Sequence, residues 1–306
     1  MKKAQMTGAA LAVLAMAAAG GALAADKVQI GEAMAFPESV TSTADGTLYA
    51  GSLTMGVIYR VAPGAANSET WVQKQPDGPP AIAGVWADEK AGVLWACYVD
   101  LGAFSGNGQP SILRSIDLKT GAIKASYPFT GPSFCNDMVA AADGTLYVTD
   151  TAGSRVMRLK PGATDLEEWL KSDALAGVDG ISISKDGAIY VNSVMANKLM
   201  RIDTGSDGVA GNVVDLTLSE PIKGPDGMRF GDDDVLYLAE NGAGRVDAVT
   251  ISAETATIKV LKEGLDAPTA VTKVGNTLWA LEAKITKLGG KEDPGMFYAW
   301  PVDIGM

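Results

Sequence analysis

The sequence predicts an all-β fold, a six-bladed β-propeller, on three observations: a turn-and-strand signature that recurs six times, a period of blade length, and a polar residue at constant distance before four of the six repeated aromatics. The aromatics are Tyr49, Trp95, Tyr147, Tyr190, Tyr237 and Trp279, spaced 46, 52, 43, 47 and 42 residues apart, as expected of four-stranded propeller blades. Eleven residues before them stand Glu38, Gly84, Asn136, Asp179, Asp226 and Pro268. Equivalent positions of successive blades fall on one ring around the axis. Glu38, Asn136, Asp179 and Asp226 are therefore expected to converge at one mouth.

The chain begins with Met1-Lys2-Lys3, an Ala-rich apolar run from Ala9 to Ala19, and Ala22-Leu23-Ala24. This pattern predicts a cleaved secretory signal peptide, residues 1–25, because the apolar run is too short to span a bilayer. Its bacterial style predicts a periplasmic protein, with the propeller domain over residues 26–306. No later stretch is long and apolar enough for membrane insertion.

Each repeat then reads as strands. The first has Phe36-Pro37-Glu38, a turn at Asp45-Gly46, Leu48-Tyr49-Ala50, and Ile58 to Val61. The second keeps mainly Gly92-Val93-Leu94-Trp95. The third is the clearest, with Asn136 to Ala140 as inner strand, a turn at Asp143-Gly144, Leu146 to Thr149, an alternating Arg155 to Leu159, and a fourth strand near Leu166 to Leu170. The fourth runs from Val178-Asp179-Gly180 through Asp186-Gly187 and Ile189-Tyr190-Val191 to Lys198–Ile202. The fifth has Pro225-Asp226-Gly227-Met228, Leu236-Tyr237-Leu238 and Arg245 to Val249. The sixth has Thr277-Leu278-Trp279 and a third strand at Met296 to Trp300, after which the chain ends. Lys27 to Ile30 is expected to supply its missing fourth strand and so cover the open sheet edge.

Composition narrows the chemistry. Without Lys2 and Lys3 the chain carries 23 basic residues (25 less 2) against 36 acidic ones, which disfavours nucleic acid as a partner and suits cations or small neutral molecules. There is no histidine, so Ser-His-Asp and Cys-His machinery and His-ligated zinc are excluded. The two cysteines, Cys97 and Cys135, lie in neighbouring repeats. Sequence leaves open a disulfide in an oxidising compartment or two buried thiols.

Chain direction places the loops after the second strands on the face that carries the polar ring. Three residues after each aromatic a further set follows on that face: Ser52, Tyr98, Asp150, Ser193, Glu240 and Glu282. Two loops there are long, Tyr98 to Pro110 and Glu282 to Pro294, as loops over binding sites often are. Converging carboxylates repel one another unless a cation joins them, and oxygen-only ligands select Ca²⁺, Mg²⁺ or Mn²⁺ over softer metals.

Phe36-Pro37-Glu38-Ser39, Phe134-Cys135-Asn136-Asp137 and Gly224-Pro225-Asp226-Gly227-Met228 resemble segments of the regucalcin / gluconolactonase (senescence marker protein) family of six-bladed propellers. The resemblance implies one divalent cation held by Glu38, Asp179 and Asp226, Ca²⁺ first, with Zn²⁺, Mn²⁺ or Mg²⁺ as alternatives. It also implies Asp226 as general base and Asn136 as a substrate contact. Trp86, Tyr98 and Phe104 are expected to line an apolar rim. The family usually has Asn where this chain has Asp179; a third carboxylate holds a cation more tightly and leaves less positive charge to polarise substrate. The arginine that family members place before the Asn-Asp segment has no counterpart beside Phe134. The function implied is metal-dependent hydrolysis of a lactone or related cyclic ester. The competing expectation is a non-catalytic propeller that binds a ligand or protein over a structural metal, because fold alone does not decide function.

Overall fold

The computed structural model of the protein describes residues 27–305; the expected signal peptide lies outside them. Six antiparallel sheets form six blades, and each inner strand packs against the next until the sixth meets the first. The inner strands are Pro37–Ser42, Ala81–Asp88, Cys135–Ala140, Val178–Ile183, Pro225–Phe230 and Pro268–Val274. The fifth blade adds a two-residue parallel edge strand, Thr217–Leu218. Among the described residues the only helical pieces are three short 3₁₀ segments, Leu101–Ser105, Asp173–Leu175 and Ile285–Lys287, all in loops on the face of the polar ring.

The ring closes as the sequence predicts, with small shifts. Val28–Gln29 pairs with Tyr298–Val302 in the register Val28↔Ala299 and Gln29↔Tyr298. The closing strand is thus two residues rather than four, and the third strand of blade six starts at Tyr298 rather than Met296. Phe297 lies before that strand, fully buried against Phe36 at 5.1 Å, and its carbonyl accepts the Ile30 N–H at 3.0 Å. Lys27 caps the closure, its Nζ 3.8 Å above the Tyr298 ring.

The repeated aromatics are packing residues. Tyr49 meets Trp71 at 4.9 Å, Tyr147 meets Trp169 at 4.7 Å, and Tyr190 meets Phe230 at 5.4 Å. Such pairs add about 0.5–1.5 kcal/mol beyond the area they bury. Each places a blade's second strand against an outer strand or the neighbouring blade.

At the polar ring every inner strand carries one extra residue relative to its partner, as between Cys135 and Met138 or between Val178 and Ile181. A bulge bends the strand and re-aims a side chain, and here it turns the ring residues toward the axis. The residue after Asp179 or Asp226 must then be glycine for a packing reason. A Cβ on Gly180 would meet the Asp226 carbonyl at 2.4 Å, and one on Gly227 the Thr269 carbonyl at 2.6 Å. These two Asp-Gly pairs are close-approach sites between blades and not turns.

Cys97 and Cys135 form a disulfide, with their Cα atoms 5.3 Å apart and a separation of 38 positions in sequence. It ties the second strand of blade two to the inner strand of blade three, one residue before Asn136. A loop of that length contributes about 4 kcal/mol in the chain-entropy account. Denatured, non-reduced protein is expected to show no titratable thiol and two after reduction. Replacing both cysteines with alanine should cost about 2–4 kcal/mol in chemical denaturation. Two thiols before reduction would contradict the bridge.

Candidate metal centre and the mouth around it

The bulges bring Glu38, Asp179 and Asp226 together. Each offers a carboxylate oxygen, and the three oxygens lie within 4.8 Å of one another. Asp179 and Asp226 are buried, whereas Glu38 keeps partial access to solvent. Their backbones are held by neighbouring blades: Thr149 Oγ1 donates to the Asp179 carbonyl at 2.6 Å, Asn192 Nδ2 to that of Asp226 at 2.5 Å, and Thr269 Oγ1 to that of Glu38 at 2.5 Å.

The side chains are fixed more selectively. Asp226 accepts from Asn241 Nδ2 at 2.7 Å and from the Gly227 N–H at 2.9 Å. Asn136 donates from Nδ2 to Asp179 Oδ2 at 2.9 Å and to Thr151 Oγ1 at 3.0 Å. A carboxylate only accepts, so the amide must turn its nitrogen toward Asp179. What Asn136 presents to the mouth is therefore the acceptor Oδ1. That oxygen, with Glu38 Oε2 and Asp179 Oδ1, is buried without a hydrogen-bond partner.

This arrangement is costly for the bare protein. Burial first, and then the Asp226 carboxylate, push the Glu38 and Asp179 carboxyl groups well above the ordinary carboxylate range. Burial pushes Asp226 up to about 7 against the lowering effect of Asn241 and Gly227. Buried, partnerless anionic oxygens around one point suit a hard divalent cation, which takes oxygen ligands only. The donor set fits the expected metal, and the three carboxylates are the groups that would hold it.

A second set of residues anchors the chain where it enters each inner strand. Ser52 Oγ donates to the Ala35 carbonyl at 2.5 Å, and Ser193 Oγ to that of Ala176 at 2.7 Å. Asp150 accepts the Phe134 N–H at 2.8 Å, Glu282 that of Asp266 at 2.9 Å, and Glu240 that of Lys223. Five of the six positions that follow the repeated aromatics by three residues are thus latches on the segment before a ring position.

Tyr98, at the sixth such position, corrects the expectation that it lines the rim. Its ring is 1% exposed, packed among Ile58, Ile82 and Ile116, with the Arg114 guanidinium 4.4 Å from its centre. It belongs to the core between the first two blades. Trp86 is also misplaced by that expectation. Two residues beyond the ring position Gly84, it has descended past the axis and stacks on Arg229 at 5.0 Å. It lines a cavity of about 380 Å³ on the opposite mouth, with Thr41, Thr272 and Lys273. Phe104 does stand on the metal-side mouth, exposed and stacked on Phe134 at 4.7 Å.

Sequence reasoning missed the floor of the site. Asp137, beside Asn136, takes a bidentate ion pair from Arg229, with Nη1–Oδ2 and Nη2–Oδ1 both 2.6 Å. It also accepts the Ile181 and Met138 N–H groups at 3.1 and 2.8 Å. The pair spans 92 residues of sequence, and nothing local marks it. Asn241 and Thr151, in the loops after two second strands, were missed for the same reason.

The sign of the pH dependence follows from the raised values. A carboxyl group with a folded pKa above its unfolded one contributes stability below the unfolded value and loses it as pH rises through the folded value. For Asp226 that window runs from 3.8 to about 7. Chelator-treated protein should therefore melt at a lower temperature at pH 8 than at pH 5, and millimolar Ca²⁺ or Mn²⁺ should raise the melting point more at pH 8. Thermal melts at the two pH values check this; a metal-free protein at least as stable at pH 8, and unmoved by cations, contradicts it.

Residues 36–281 match the family described as SMP-30/gluconolactonase/LRE-like region. A lactonase, drp35, of Staphylococcus epidermidis is 28% identical over 220 residues, 68% of this chain and 64% of that protein. The chain thus matches under two thirds of that relative's length. Among solved structures, a calcium-binding regucalcin from Agrobacterium tumefaciens superposes with a TM-score of 0.64 at 17% identity, over 91% of this chain and 95% of that one. A virginiamycin B lyase from Staphylococcus aureus, catalytically inactive through replacement of a histidine, gives 0.63 at 17% identity, over 91% and 88%. At these identities the superpositions speak for the fold. The match over most of the chain, on a six-bladed ring with three carboxylates at its mouth, makes the protein a member of the SMP-30/gluconolactonase/LRE-like family.

Proposed function

We propose that the protein is a periplasmic hydrolase of a lactone or related cyclic ester, dependent on one divalent cation held by Glu38, Asp179 and Asp226. The observation that carries this reading is the convergence of the three carboxylates within 4.8 Å, with buried oxygens of Glu38 and Asp179 left without partners. The bound cation would polarise the ester carbonyl and offset the charge that develops on its oxygen.

The chain's own residues supply the remainder. Asp226 takes the proton of the attacking water and returns it to the ring oxygen as the acyl C–O bond breaks, its carboxylate plane fixed for that task by Asn241 and the Gly227 N–H. Asn136 accepts, through Oδ1, a hydrogen bond from the water or from a substrate hydroxyl, because its Nδ2 is given to Asp179 and Thr151. The buried Asp137–Arg229 pair neutralises the carboxylate next to Asn136.

Family membership and the lactonase relative support the choice of reaction. The absence of histidine argues against the chemistry of the lyase of similar fold, which a histidine replacement inactivates. Ca²⁺ is the first choice of ion because every donor is oxygen, and the regucalcin of similar fold is described as calcium-binding. Zn²⁺, Mn²⁺ and Mg²⁺ are the alternatives to compare. The Cys97–Cys135 disulfide and the N-terminal sequence support an oxidising compartment.

Purified protein should hydrolyse members of a lactone panel, lose the activity to chelator and regain it with a divalent cation. Asp226→Asn keeps an oxygen donor and loses the base, so hydrolysis should fall by about 10²-fold or more, with a smaller loss of metal affinity. Chelator-insensitive activity contradicts the metal's role, and wild-type rates in Asp226→Asn remove that residue from the chemistry. Hydrolysis of no lactone leaves a binding propeller.

A further inference from the structure

Two of the latch carboxylates are equally buried but unequally satisfied. In blade three Asp150 accepts three donors: the Phe134 N–H at 2.8 Å, the Gly153 N–H at 3.0 Å and Arg155 Nε at 2.7 Å. In blade five Glu240 accepts two, the Lys223 N–H and Arg245 Nε, the latter at 2.8 Å. Among the described residues no third N–H reaches its side chain.

Asp247 lies within hydrogen-bond reach of Glu240 instead. It stands on the third strand of blade five, Arg245–Ser252, opposite Leu238. Its side chain is fully buried, and neither carboxylate oxygen has a hydrogen-bond partner. Blade three has Met157 at the corresponding place, opposite Val148. The latch of blade three therefore works without an acid there, and blade five carries one anion more.

One guanidinium serves the whole group. Arg245 lies 2.8 Å from Glu240, 3.1 Å from Glu220 and 3.3 Å from Asp247, whereas Arg155 meets only Asp150 and Glu168. The charged groups around Asp247 are thus Glu240 on the second strand, Arg245 on its own strand and Glu220 before the inner strand. Its neighbour on the fourth strand is the apolar Val260. Two facing carboxyl groups buried from water do not both stay ionised without a cation or a proton between them. Arg245 Nε is already given to Glu240, which leaves the proton. A protonated carboxyl donates one hydrogen bond, and that bond is the third donor Glu240 lacks. Burial first, and then Glu240, push the Asp247 carboxyl up to about 8 against the lowering effect of Arg245.

The latch matters for what it holds. Glu240 fixes the Lys223 N–H, with only Gly224 and Pro225 between that residue and Asp226. The next residue, Asn241, donates its N–H to the Gly224 carbonyl at 2.8 Å and its Nδ2 to the Asp226 carboxylate at 2.7 Å. The place of Glu240 therefore governs both the entry of the strand that presents Asp226 and the loop that orients its carboxylate.

Resting on the metal reading above, we infer that Asp247 is a positioning residue for the metal centre. As a neutral acid it donates to Glu240 and completes the hold on the segment before Asp226; once ionised it repels Glu240 and loosens that hold. Cation affinity is then tied to the protonation of a residue that never touches the cation.

Wild type, Asp247→Asn and Asp247→Met are compared at pH 7 and pH 9, with melting curves as a check on the fold. Asparagine keeps a donor for Glu240 and does not ionise, whereas methionine, the residue of blade three, supplies no donor. The two readouts are exchange of the Lys223 amide hydrogen with solvent and the Ca²⁺ dissociation constant. Comparison at a single pH cancels the intrinsic exchange rate and the titration of the triad itself. At pH 7 wild type and Asp247→Asn should agree, and Asp247→Met should exchange faster and bind Ca²⁺ more weakly. At pH 9 wild type should fall behind Asp247→Asn by about fivefold or more in both readouts, the lower end of coupling between linked sites. Agreement of wild type and Asp247→Asn at pH 9 overturns the inference, whether or not Asp247→Met folds. A difference in Lys223 exchange with unchanged Ca²⁺ affinity confines Asp247 to the latch and also overturns it. Binding of neither Ca²⁺ nor Mn²⁺ by any of the three overturns it together with the metal reading.

Discussion

The mutual repulsion of Glu38, Asp179 and Asp226 is the constraint around which this molecule is organised. Three carboxylate oxygens within 4.8 Å of one another repel by about 3 kcal/mol per charged pair at an effective dielectric of about 20. Burial adds to the cost, as the upward displacement of all three carboxyl groups indicates. The chain bears this by over-determining the backbone: a bulge in each inner strand, glycine where blades touch, and hydroxyl or amide side chains on the ring carbonyls. A cation among the carboxylates turns the repulsion into coordination.

The latches and the disulfide extend the same logic outward. Ser52, Asp150, Ser193, Glu240 and Glu282 each hold the backbone that leads into a ring position. Where the sequence places Tyr98 instead of a small or acidic residue, the latch is missing, and the neighbouring Cys97 bridges instead to Cys135 in blade three. Beneath the site, Arg229 neutralises Asp137, which would otherwise add a fourth charge to the cluster. A buried pair of this kind is worth little as net stability, but removing one partner is expensive. Arg229 also lines, with Trp86, the cavity on the opposite mouth.

Much of this was legible in the sequence because radial repetition converts spacing into position. The aromatics at Tyr49 to Trp279 marked the blades, and a constant offset from them marked Glu38, Asn136, Asp179 and Asp226 as neighbours, which they are. The expectation failed at Trp86 and Tyr98, whose place on the rim was judged by residue type and proximity to a long loop. Strand alternation and descent along the axis decide where a side chain points, and both residues had passed out of the mouth. The Asp137–Arg229 and Asn241–Asp226 contacts were illegible because they join different blades or a loop to a strand, with no repeat to register them. Asp179-Gly180 and Asp226-Gly227 look like turn dipeptides, and only the packed ring reveals them as bulges.

The most direct test of the central claim is an anomalous-difference map from crystals of the protein grown with Mn²⁺. One peak bound by Glu38, Asp179 and Asp226, at ordinary Mn²⁺–oxygen distances, is the predicted result. A map with no peak between these carboxylates, or with the ion elsewhere and the three side chains turned apart, would contradict the account.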